Sequence, residues 1–192
     1  MNFDALTTAA VAHECQVLVG GRVQQVVQVD EWGVGLEVYA PSQPPTDLQS
    51  VTRGGGGQRH YLLATAHPQH ARVHLTETKP RRGVELPSPL LLLLRKHLRG
   101  GRVTAVRWPQ FERIFEIEVE RGGTQRGTEE AQRDAEEDES GQTCTLIVEA
   151  MGRHANLILV DADGSVLDSI KRVGPRLSRV RPILPGRAYR RP

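Results

Sequence analysis

Aromatic residues and cysteines are scarce in this 192-residue chain, where Phe, Trp and Tyr together make up 4% of the residues. A chain of this length is large enough for one domain with a real core, so the core must consist mostly of Val, Leu, Ile and Ala. The two cysteines, Cys15 and Cys144, lie far apart in apolar stretches. This excludes a disulfide framework or a cysteine-based metal site and predicts buried free thiols.

A long apolar run is also lacking. The longest, LLLLL at 90–94, is far shorter than the roughly 20 residues that a membrane-spanning helix needs. The N-terminus, MNFDALTTAA, lacks the basic segment and the continuous apolar stretch of a secretion signal. We therefore expect a cytoplasmic protein with no membrane partner.

The familiar catalytic signatures are missing as well. The sequence has no G-x-S-x-G, no P-loop, no H-E-x-x-H and no paired C-x-x-C. RGGGGQ at 53–58 lies in a proline-rich stretch without the Lys-Ser/Thr of a phosphate-binding loop, which favours a linker. Four histidines lie close together without a cysteine or acid that completes a metal site: His60, His67, His70 and His74. We expect a binding module rather than an enzyme, with neither metal nor cofactor.

Negative charge is concentrated in one segment. Residues 129–140, EEAQRDAEEDES, contain seven acids and one arginine, which gives a local charge of −6. The whole chain carries +2, so the remaining residues carry +8, nearly all of it from arginine. A basic body is typical of proteins that bind an anionic partner such as RNA or a membrane surface. Arginine richness can equally reflect genome composition or heat adaptation.

Capping residues and glycines predict two helices. Asp4 is placed to cap the first, which ends at Gly20–Gly21, and Ser88–Pro89 begins a second that ends at Gly100–Gly101. Most of the remaining apolar residues alternate with polar ones, which predicts strands.

Two stretches interrupt these elements. Residues 41–59 are rich in Pro, Gly and Ser. Residues from about 121 to 142 contain the acidic segment and no apolar side chain larger than alanine. We predict a mobile loop in each.

The two halves of the chain repeat each other. VGGRVQQV at 19–26 is similar to RGGRVTAV at 99–106, and LLATAHPQHARVHL at 62–75 is similar to LIVEAMGRHANLIL at 146–159. Each half has the order helix, Gly-Gly-Arg, hairpin, strand, His-Ala, strand. Two such units can bury their apolar faces against each other. We therefore predict an α+β fold, a duplicated and mostly antiparallel β-sandwich of two sheets with flanking helices.

One arginine breaks the pattern of an amphipathic strand, PQFERIFEIEVE at 109–120. Apolar residues such as Phe111 and Phe115 alternate with glutamates, but Arg113 falls on the apolar side. Burial of an unpaired guanidinium is strongly unfavourable, so we expect this side chain to reach the rim of the sandwich. In the other half its counterpart is Trp32, which shows that the fold itself does not demand a charge at this position.

Two further groups are candidates for contact with an anionic ligand. The segment VEAMGRHAN runs from a strand into a glycine turn and carries Glu149, Arg153 and Asn156. Glu149 can orient an arginine and Asn156 can bond turn backbone, although an internal ion-pair network explains both equally well. Arg95 and Lys96 stand near the end of the second helix, where cations suit either the helix dipole or a phosphate.

Five segments together resemble the N-terminal NFACT domain: NFDALTTAAVAHECQVLVGGRV, LLLLRKHLRGGRV, PQFERIFEIEV, LIVEAMGRHANLILVDADGSVLDSIKRV and RPILPGRAY. This domain begins the bacterial proteins labelled fibronectin-binding protein A, which are linked to ribosome quality control as RqcH, and it is similar to eukaryotic NEMF. The resemblance runs from Phe3 to Tyr189, apart from the two predicted loops. It implies one domain over residues 1–185, followed at 186–192 by a strap toward a further domain.

The resemblance also implies a function. Members of this family bind large ribosomal subunits obstructed by peptidyl-tRNA and recruit tRNA, typically alanyl-tRNA in bacteria, for C-terminal tailing of the stalled peptide. The family's Asp-Arg pair, implicated in tRNA engagement, falls on Glu112 and Arg113, and its N-terminal acid falls on Asp4. Glu112 is one methylene longer than the family's aspartate. The candidate residues for binding tRNA and ribosomal RNA are Asp4, Arg95, Lys96, Glu112, Arg113, Glu149, Arg153 and Asn156.

Two other functions are open. The older family label implies a surface adhesin that binds fibronectin or fibrinogen, although the sequence shows neither a secretion signal nor a cell-wall anchor. The fold is expected to resemble the N-terminal domain of formamidopyrimidine-type DNA glycosylases, which suggests a DNA-repair-like binder. Those enzymes use an N-terminal proline as nucleophile, whereas this chain begins with Met1-Asn2, so glycosylase activity is not expected.

Overall fold

The computed structural model describes residues 3–41, 56–122 and 141–192. These residues form two α-helices and nine β-strands. The helices are α1 (Ala5–Glu14) and α2 (Pro89–Leu98), and the strands are β1 (Arg22–Gln28), β2 (Gly33–Pro41), β3 (Gly57–Thr65), β4 (Arg72–Thr76), β5 (Arg102–Arg107), β6 (Ile114–Arg121), β7 (Gln142–Glu149), β8 (Asn156–Asp161) and β9 (Val166–Ser169). In the described part of the chain, no helix has the length and apolar character needed to cross a membrane.

All nine strands belong to one sheet with the order β4-β3-β2-β1-β5-β6-β7-β8-β9. The predicted α+β class and the mostly antiparallel pairing are confirmed, but the prediction of two separate sheets is wrong. The two halves join where β1 meets β5, through the pairing of Arg22 with Arg102. The expected resemblance to glycosylase domains stays a prediction.

The two Gly-Gly-Arg copies make this join. Val103 exchanges two backbone hydrogen bonds with Gly20–Gly21, both of 2.8 Å, and Val23 exchanges two with Gly100–Gly101, of 2.9 and 2.7 Å. Each copy therefore binds the other in the same way. Separate sheets would leave these N–H and C=O groups without partners, which explains why the sheet is continuous.

Each of the four glycines where the two halves join is required by its conformation or by its surroundings. Gly20 and Gly100 have φ angles of 84° and 82°, a left-handed conformation that a Cβ atom disfavours. A Cβ atom on Gly21 or Gly101 would lie 2.7 or 2.5 Å from a valine side chain of the neighbouring strand. Two of the four positions therefore need glycine for their backbone conformation, and the other two need it for the space beside the neighbouring strand of the same half.

Both helices begin as predicted. Asp4 caps α1, because its Oδ1 accepts a hydrogen bond from the Thr7 backbone N–H at 2.8 Å. Ser88 Oγ accepts a bond from the first turn of α2 at 3.2 Å, and Pro89 is the first residue of that helix. After α1 a 3₁₀ turn, Cys15–Leu18, continues to the first glycine pair.

The two halves bury their apolar faces in one main core. Fully buried residues of the first half, such as Leu36, pack there with residues of the second half, such as Phe115. Cys15 and Cys144 lie in the same core as free thiols, as predicted. Burial raises the pKa of the Cys15 thiol to about 12, so this thiol stays protonated.

A smaller core covers the opposite face of the second half. Ile147 and Ile158 point to this face, because successive strand residues alternate. The chain that follows β9 covers them with Ile183 and packs Tyr189 alongside. The division of the chain at 185, with a strap at 186–192, stays a prediction.

The duplication holds at the level of single residues. The strands β1 to β4 correspond in order to β5 to β8. A β-bulge interrupts β1 between Val23 and Gln25, and another interrupts β5 between Val103 and Ala105, at the equivalent place. The two halves therefore share their irregularities as well as their order of elements.

Both predicted loops are shorter than expected. Pro41 and Gly57 pair with each other in the β2–β3 ladder, and Arg121 and Gln142 pair in the β6–β7 ladder. These four residues therefore belong to strands. Most of each predicted loop, with the whole acidic segment 129–140, lies outside the described residues.

Candidate functional site

The candidate site is built around the connection between β5 and β6. The prediction of a strand from residue 109 is wrong at its start, because β6 begins at Ile114. Glu112 N donates to Pro109 O at 3.2 Å and Phe111 has a φ of 64°, the arrangement of a type II turn. Phe111 is 93% exposed, so it is not the core residue that the alternation predicts.

Arg113 leaves this turn with its side chain exposed, as the cost of burying a guanidinium predicts. Its carbonyl oxygen accepts a hydrogen bond from Ala150 N at 2.8 Å, which fixes the backbone. At the same place in the first half, Trp32 O accepts from Ala66 N at 2.9 Å. This confirms the predicted correspondence of Arg113 with Trp32.

Glu112 lies beside Arg113 and is half-buried. Its Oε2 atom is buried and has no hydrogen-bond partner among the described residues. A buried carboxylate oxygen is unfavourable unless a donor reaches it. This oxygen is therefore available to accept a hydrogen bond from a group outside the described residues.

Asp4 brings a second carboxylate to the same place. The Thr7 backbone N–H that it caps holds the pKa of the Asp4 carboxyl below its ordinary value. The side chain is exposed, so it stays ionised at neutral pH. Asp4, Glu112 and Arg113 line one cavity. The structure thus brings together the three residues that the family resemblance singled out.

Two open cavities meet at Arg113 and Asp4. The larger has a volume of about 550 Å³ and is lined by residues 69–72 on one side and by Ala150 and Gly152 on the other. The smaller has a volume of about 350 Å³ and lies beside the type II turn. Because Arg113 and Asp4 line both cavities, a ligand group held at Arg113 faces each of them.

Two predicted RNA-binding residues are enclosed by protein. Glu149 is fully buried and forms an ion pair with Arg181. Asn156 is also buried, and its Nδ2 donates to Lys171 O at 2.8 Å. A direct RNA contact by Glu149 or Asn156 is therefore corrected in favour of the internal network that the sequence also allowed.

The other three predicted cations stand apart from the cavity walls. Arg95 Nε donates to Val26 O at 3.0 Å, so this guanidinium ties α2 to β1. Lys96 is exposed on α2. Arg153 is exposed beside Gly152, and its Nε donates to His154 Nε2 at 2.9 Å. Within the described ranges, none of the three lines either cavity.

Four other residues with polar or aromatic side chains also line the cavities, and the sequence did not indicate them as site residues: Phe111, Gln69, His70 and Arg72. The sequence argued against a metal site at the histidines, and no group of three or more metal-ligating side chains occurs in the part of the chain that the structure describes. Instead, the rings of His67 and His70 stack, with centroids 5.0 Å apart and planes 15° apart. The internal repeat is the sequence feature that could have indicated these residues, because the His-Ala turns of the two halves both border the larger cavity.

A protein-family model described as the NFACT N-terminal and middle domains matches residues 4–192. The chain belongs to the NFACT family. This confirms the resemblance that its sequence motifs indicate.

Curated relatives of this NFACT chain carry the name Rqc2 homolog RqcH. The chain is 29% identical to the protein of that name from Bacillus subtilis, over all of its own length and 29% of that protein. It is 32% identical to the Streptococcus suis protein, again over its whole length and 30% of that protein. The NFACT chain therefore spans about three tenths of these relatives.

Two solved structures show the same fold. The N-terminal domain of fibronectin-binding protein PavA from Streptococcus pneumoniae has a TM-score of 0.78 at 30% identity, covering the whole chain and 62% of that structure. The N-terminal part of the fibronectin/fibrinogen-binding protein from Streptococcus suis has the same TM-score and identity, and 61% of it is covered. The NFACT domain described here shares its architecture with both.

Proposed function

We propose that this NFACT domain is the RNA-binding module of a cytoplasmic ribosome quality control factor. In this role the whole protein binds obstructed large ribosomal subunits and recruits tRNA for C-terminal tailing of stalled peptides, with alanine as the added residue. The domain itself supplies binding rather than catalysis. The observation that carries the proposal is the shared cavity at which exposed Arg113 meets the carboxylates of Asp4 and Glu112.

The chemistry of these groups suits a polynucleotide. The planar guanidinium of Arg113 can bind a phosphate or a base edge through two parallel hydrogen bonds. The carboxylates of Asp4 and Glu112 can accept hydrogen bonds from base amino groups. A charge of +8 outside residues 129–140 attracts the RNA backbone over a longer range.

The substitution Arg113→Ala in the full-length protein tests this proposal. We expect tRNA affinity to fall about tenfold or more at physiological salt, because a hydrogen bond to a charged group contributes about 1.5–3 kcal/mol. The unfolding free energy should change by less than about 0.5 kcal/mol, since the side chain is exposed. Filter binding and thermal unfolding measure the two quantities.

Arg102→Ala is the matched control. Arg102 is exposed like Arg113 but begins β5, so it lies at the end of the strand away from the type II turn. We expect this variant to bind tRNA about as well as the unmodified protein. If Arg113→Ala keeps full tRNA affinity, or if both variants lose it equally, Arg113 does not have the proposed role.

Adhesion is the second candidate function. It is favoured by the names of the two similar structures, which describe fibronectin or fibrinogen binding. Cell fractionation separates the candidates. Co-sedimentation with large ribosomal subunits supports the quality control role, and exposure on the cell surface supports adhesion.

A further inference from the structure

The first half of the fold lacks a strand that the second half has. The strands β1 to β4 correspond to β5 to β8, but only β8 is followed by a further strand, β9, which pairs with its outer edge. As a result, β4 forms one edge of the sheet, whereas its counterpart β8 is covered on both sides.

The course of the chain after β4 and β8 accounts for this difference. After β8, a turn in which Gly164 N donates to Asp161 O at 3.1 Å returns the chain as β9. After β4, the chain crosses to β1 instead, where Gly83 N donates to Gln28 O at 3.1 Å. Within residues 3–41, 56–122 and 141–192, no segment pairs with the outer edge of β4.

The second half shows which backbone groups face this edge. Ile170 N donates to Leu157 O at 2.9 Å, so the backbone groups of Leu157 face β9. The repeated segments 62–75 and 146–159 align Val73 with Leu157 and Leu75 with Leu159. The N–H and C=O groups of Val73 and Leu75 therefore point away from β3, and they have no partner among the described residues.

This edge also lacks the features that usually protect an edge strand, which are a charge, a proline or a β-bulge. Val73–Thr76 contains neither proline nor a charged residue, because burial lowers the pKa of His74 and keeps it neutral at neutral pH, and its register against β3 has no shift. The opposite edge of the sheet is closed, because Val166 N donates to Arg187 O and Val166 O accepts from Gly186 N, both at 2.8 Å. Of the two edges, β4 is the one that can accept a strand.

The side chains along β4 define what such a strand must carry. Leu75 lies at the rim of the main core and is only half-buried, whereas its counterpart Leu159 is fully buried. In the second half, Leu167 of β9 packs against the same core. The other face of β4 carries His74 and Thr76. A fitting strand therefore alternates apolar residues, which cover Leu75, with polar residues beside His74 and Thr76.

We propose that the outer edge of β4 binds an extended segment of a partner protein, which adds to the sheet as an antiparallel strand in the position that β9 holds in the second half. The segment alternates apolar and polar residues, and its backbone bonds to Val73 and Leu75. A short segment is sufficient, because β9 has only four residues. This site is separate from the proposed RNA site, since Val73–Thr76 line neither of the two cavities at Arg113.

The peptide GSVLDSIK, residues 164–171 of this chain, is the probe because it contains β9. Fluorescence anisotropy of the labelled peptide with the full-length protein measures binding, and hydrogen exchange with mass spectrometry locates it. We expect saturable binding that slows amide exchange in Arg72–Thr76 about fivefold or more. Absence of binding, or protection only elsewhere, overturns the proposal.

Two N-methylated forms of the peptide test the backbone pairing in the unmodified protein. In the register of β9, the N–H groups of Asp168 and Ile170 face the neighbouring strand, and those of Leu167 and Ser169 face away. Methylation of the first two should weaken binding about fivefold to 150-fold, because it removes two hydrogen bonds. Methylation of the other two should leave binding unchanged, and equal binding of the two forms contradicts the proposal.

Leu75→Pro tests the same pairing from the protein side. Proline removes the outward N–H group but leaves the bonds between β4 and β3 in place. Leu75→Ala is the matched control, because it removes the side chain and keeps the N–H group. Leu75→Pro should bind the peptide more weakly than Leu75→Ala, and equal binding by the two variants overturns the backbone pairing. If Leu75→Pro does not fold, the N-methylated peptides still decide the question.

Sedimentation of the unmodified protein tests the alternative occupant, a second copy of this chain. We expect the state of association to be the same in the unmodified protein and in Leu75→Pro. Dimers that Leu75→Pro abolishes would assign the edge to a second copy and overturn the proposal of a partner segment.

Discussion

Loss of one partner of the buried ion pair between Glu149 and Arg181 should strongly destabilise the second half. Glu149 is fully buried, and the side chain of Arg181 is 19% exposed. Two guanidinium nitrogens donate to the two carboxylate oxygens, and the Tyr189 hydroxyl donates to Glu149 Oε1 at 2.8 Å. The pair therefore anchors the chain that follows β9 onto the end of β7.

The substitution Glu149→Gln removes the charge while it keeps the size of the side chain. Removal of one partner of a buried pair is unfavourable by about 3–5 kcal/mol, and we expect the lower end of this range because Arg181 retains some contact with water. For a domain of this size, 1 kcal/mol shifts the melting temperature by about 2–4 °C. A loss of about 3 kcal/mol therefore corresponds to a decrease of about 6–12 °C.

Thermal unfolding followed by circular dichroism measures this decrease. The control is Glu118→Gln, which breaks the ion pair between Glu118 and Arg107, in which the arginine side chain is 53% exposed. That change should cost about 1 kcal/mol or less, as exposed pairs do. Equal losses in the two variants would refute the assignment of Glu149 and Arg181 as a buried pair whose partners depend on each other. The double variant Glu149→Leu/Arg181→Leu should recover most of the stability, because an apolar pair leaves no unpaired charge.

Two further predictions concern the glycines that join the two halves and three histidines whose pKa burial lowers. Gly101→Ala should lower the free energy of unfolding by about 3 kcal/mol through overpacking, because its Cβ would lie 2.5 Å from Val119 Cγ1. Gly100→Ala should lower it by only about 1 kcal/mol, because this position has open space and a φ of 82°. Equal urea midpoints for the two variants would contradict this prediction. Burial lowers the pKa of three histidines, His60, His74 and His97. The stability linked to a depressed pKa is present above the unfolded pKa of about 6.5 and is lost as the pH falls through the folded pKa. The urea midpoint should therefore decrease as the pH falls from about 7.5 to about 5. The decrease should be smaller in His97→Gln. A constant midpoint would show that the pKa values of these histidines do not change on unfolding.

The helix caps and the exposure of Arg113 were predictable from the sequence, because each depends on residues close by in the chain or on the chemistry of one side chain. The caps at Asp4 and Ser88 depend on residues within one helical turn, and both form as predicted. The exposure of Arg113 followed from the free energy of burying a charge. The start of β6 was not predictable in the same way, because the alternation of FERIF continues through a turn that only the pairing of β5 with β6 reveals.

The long-range pairings could not be predicted from the sequence, and for a different reason. The Gly-Gly-Arg copies indicated where the helical segments end, but their mutual hydrogen bonds depend on which sheet edges meet in the folded chain. Likewise, the arginine that pairs with Glu149 is Arg181, which is 32 residues away. The sequence indicated only that Glu149 can orient an arginine, and it could not say which one, because the folded backbone alone sets the distances.

The duplication explains how an exposed cation is compatible with this fold. In the first half, Lys171 Nζ lies 4.9 Å from the centroid of the Trp32 ring and donates to Ala66 O at 2.7 Å, so the chain itself closes that position. In the second half the equivalent carbonyl bond is kept, but the side chain is Arg113, which remains exposed. The backbone bond is enough to hold the turn in both copies. One copy therefore uses the position to complete the fold, and the other leaves the Arg113 side chain exposed.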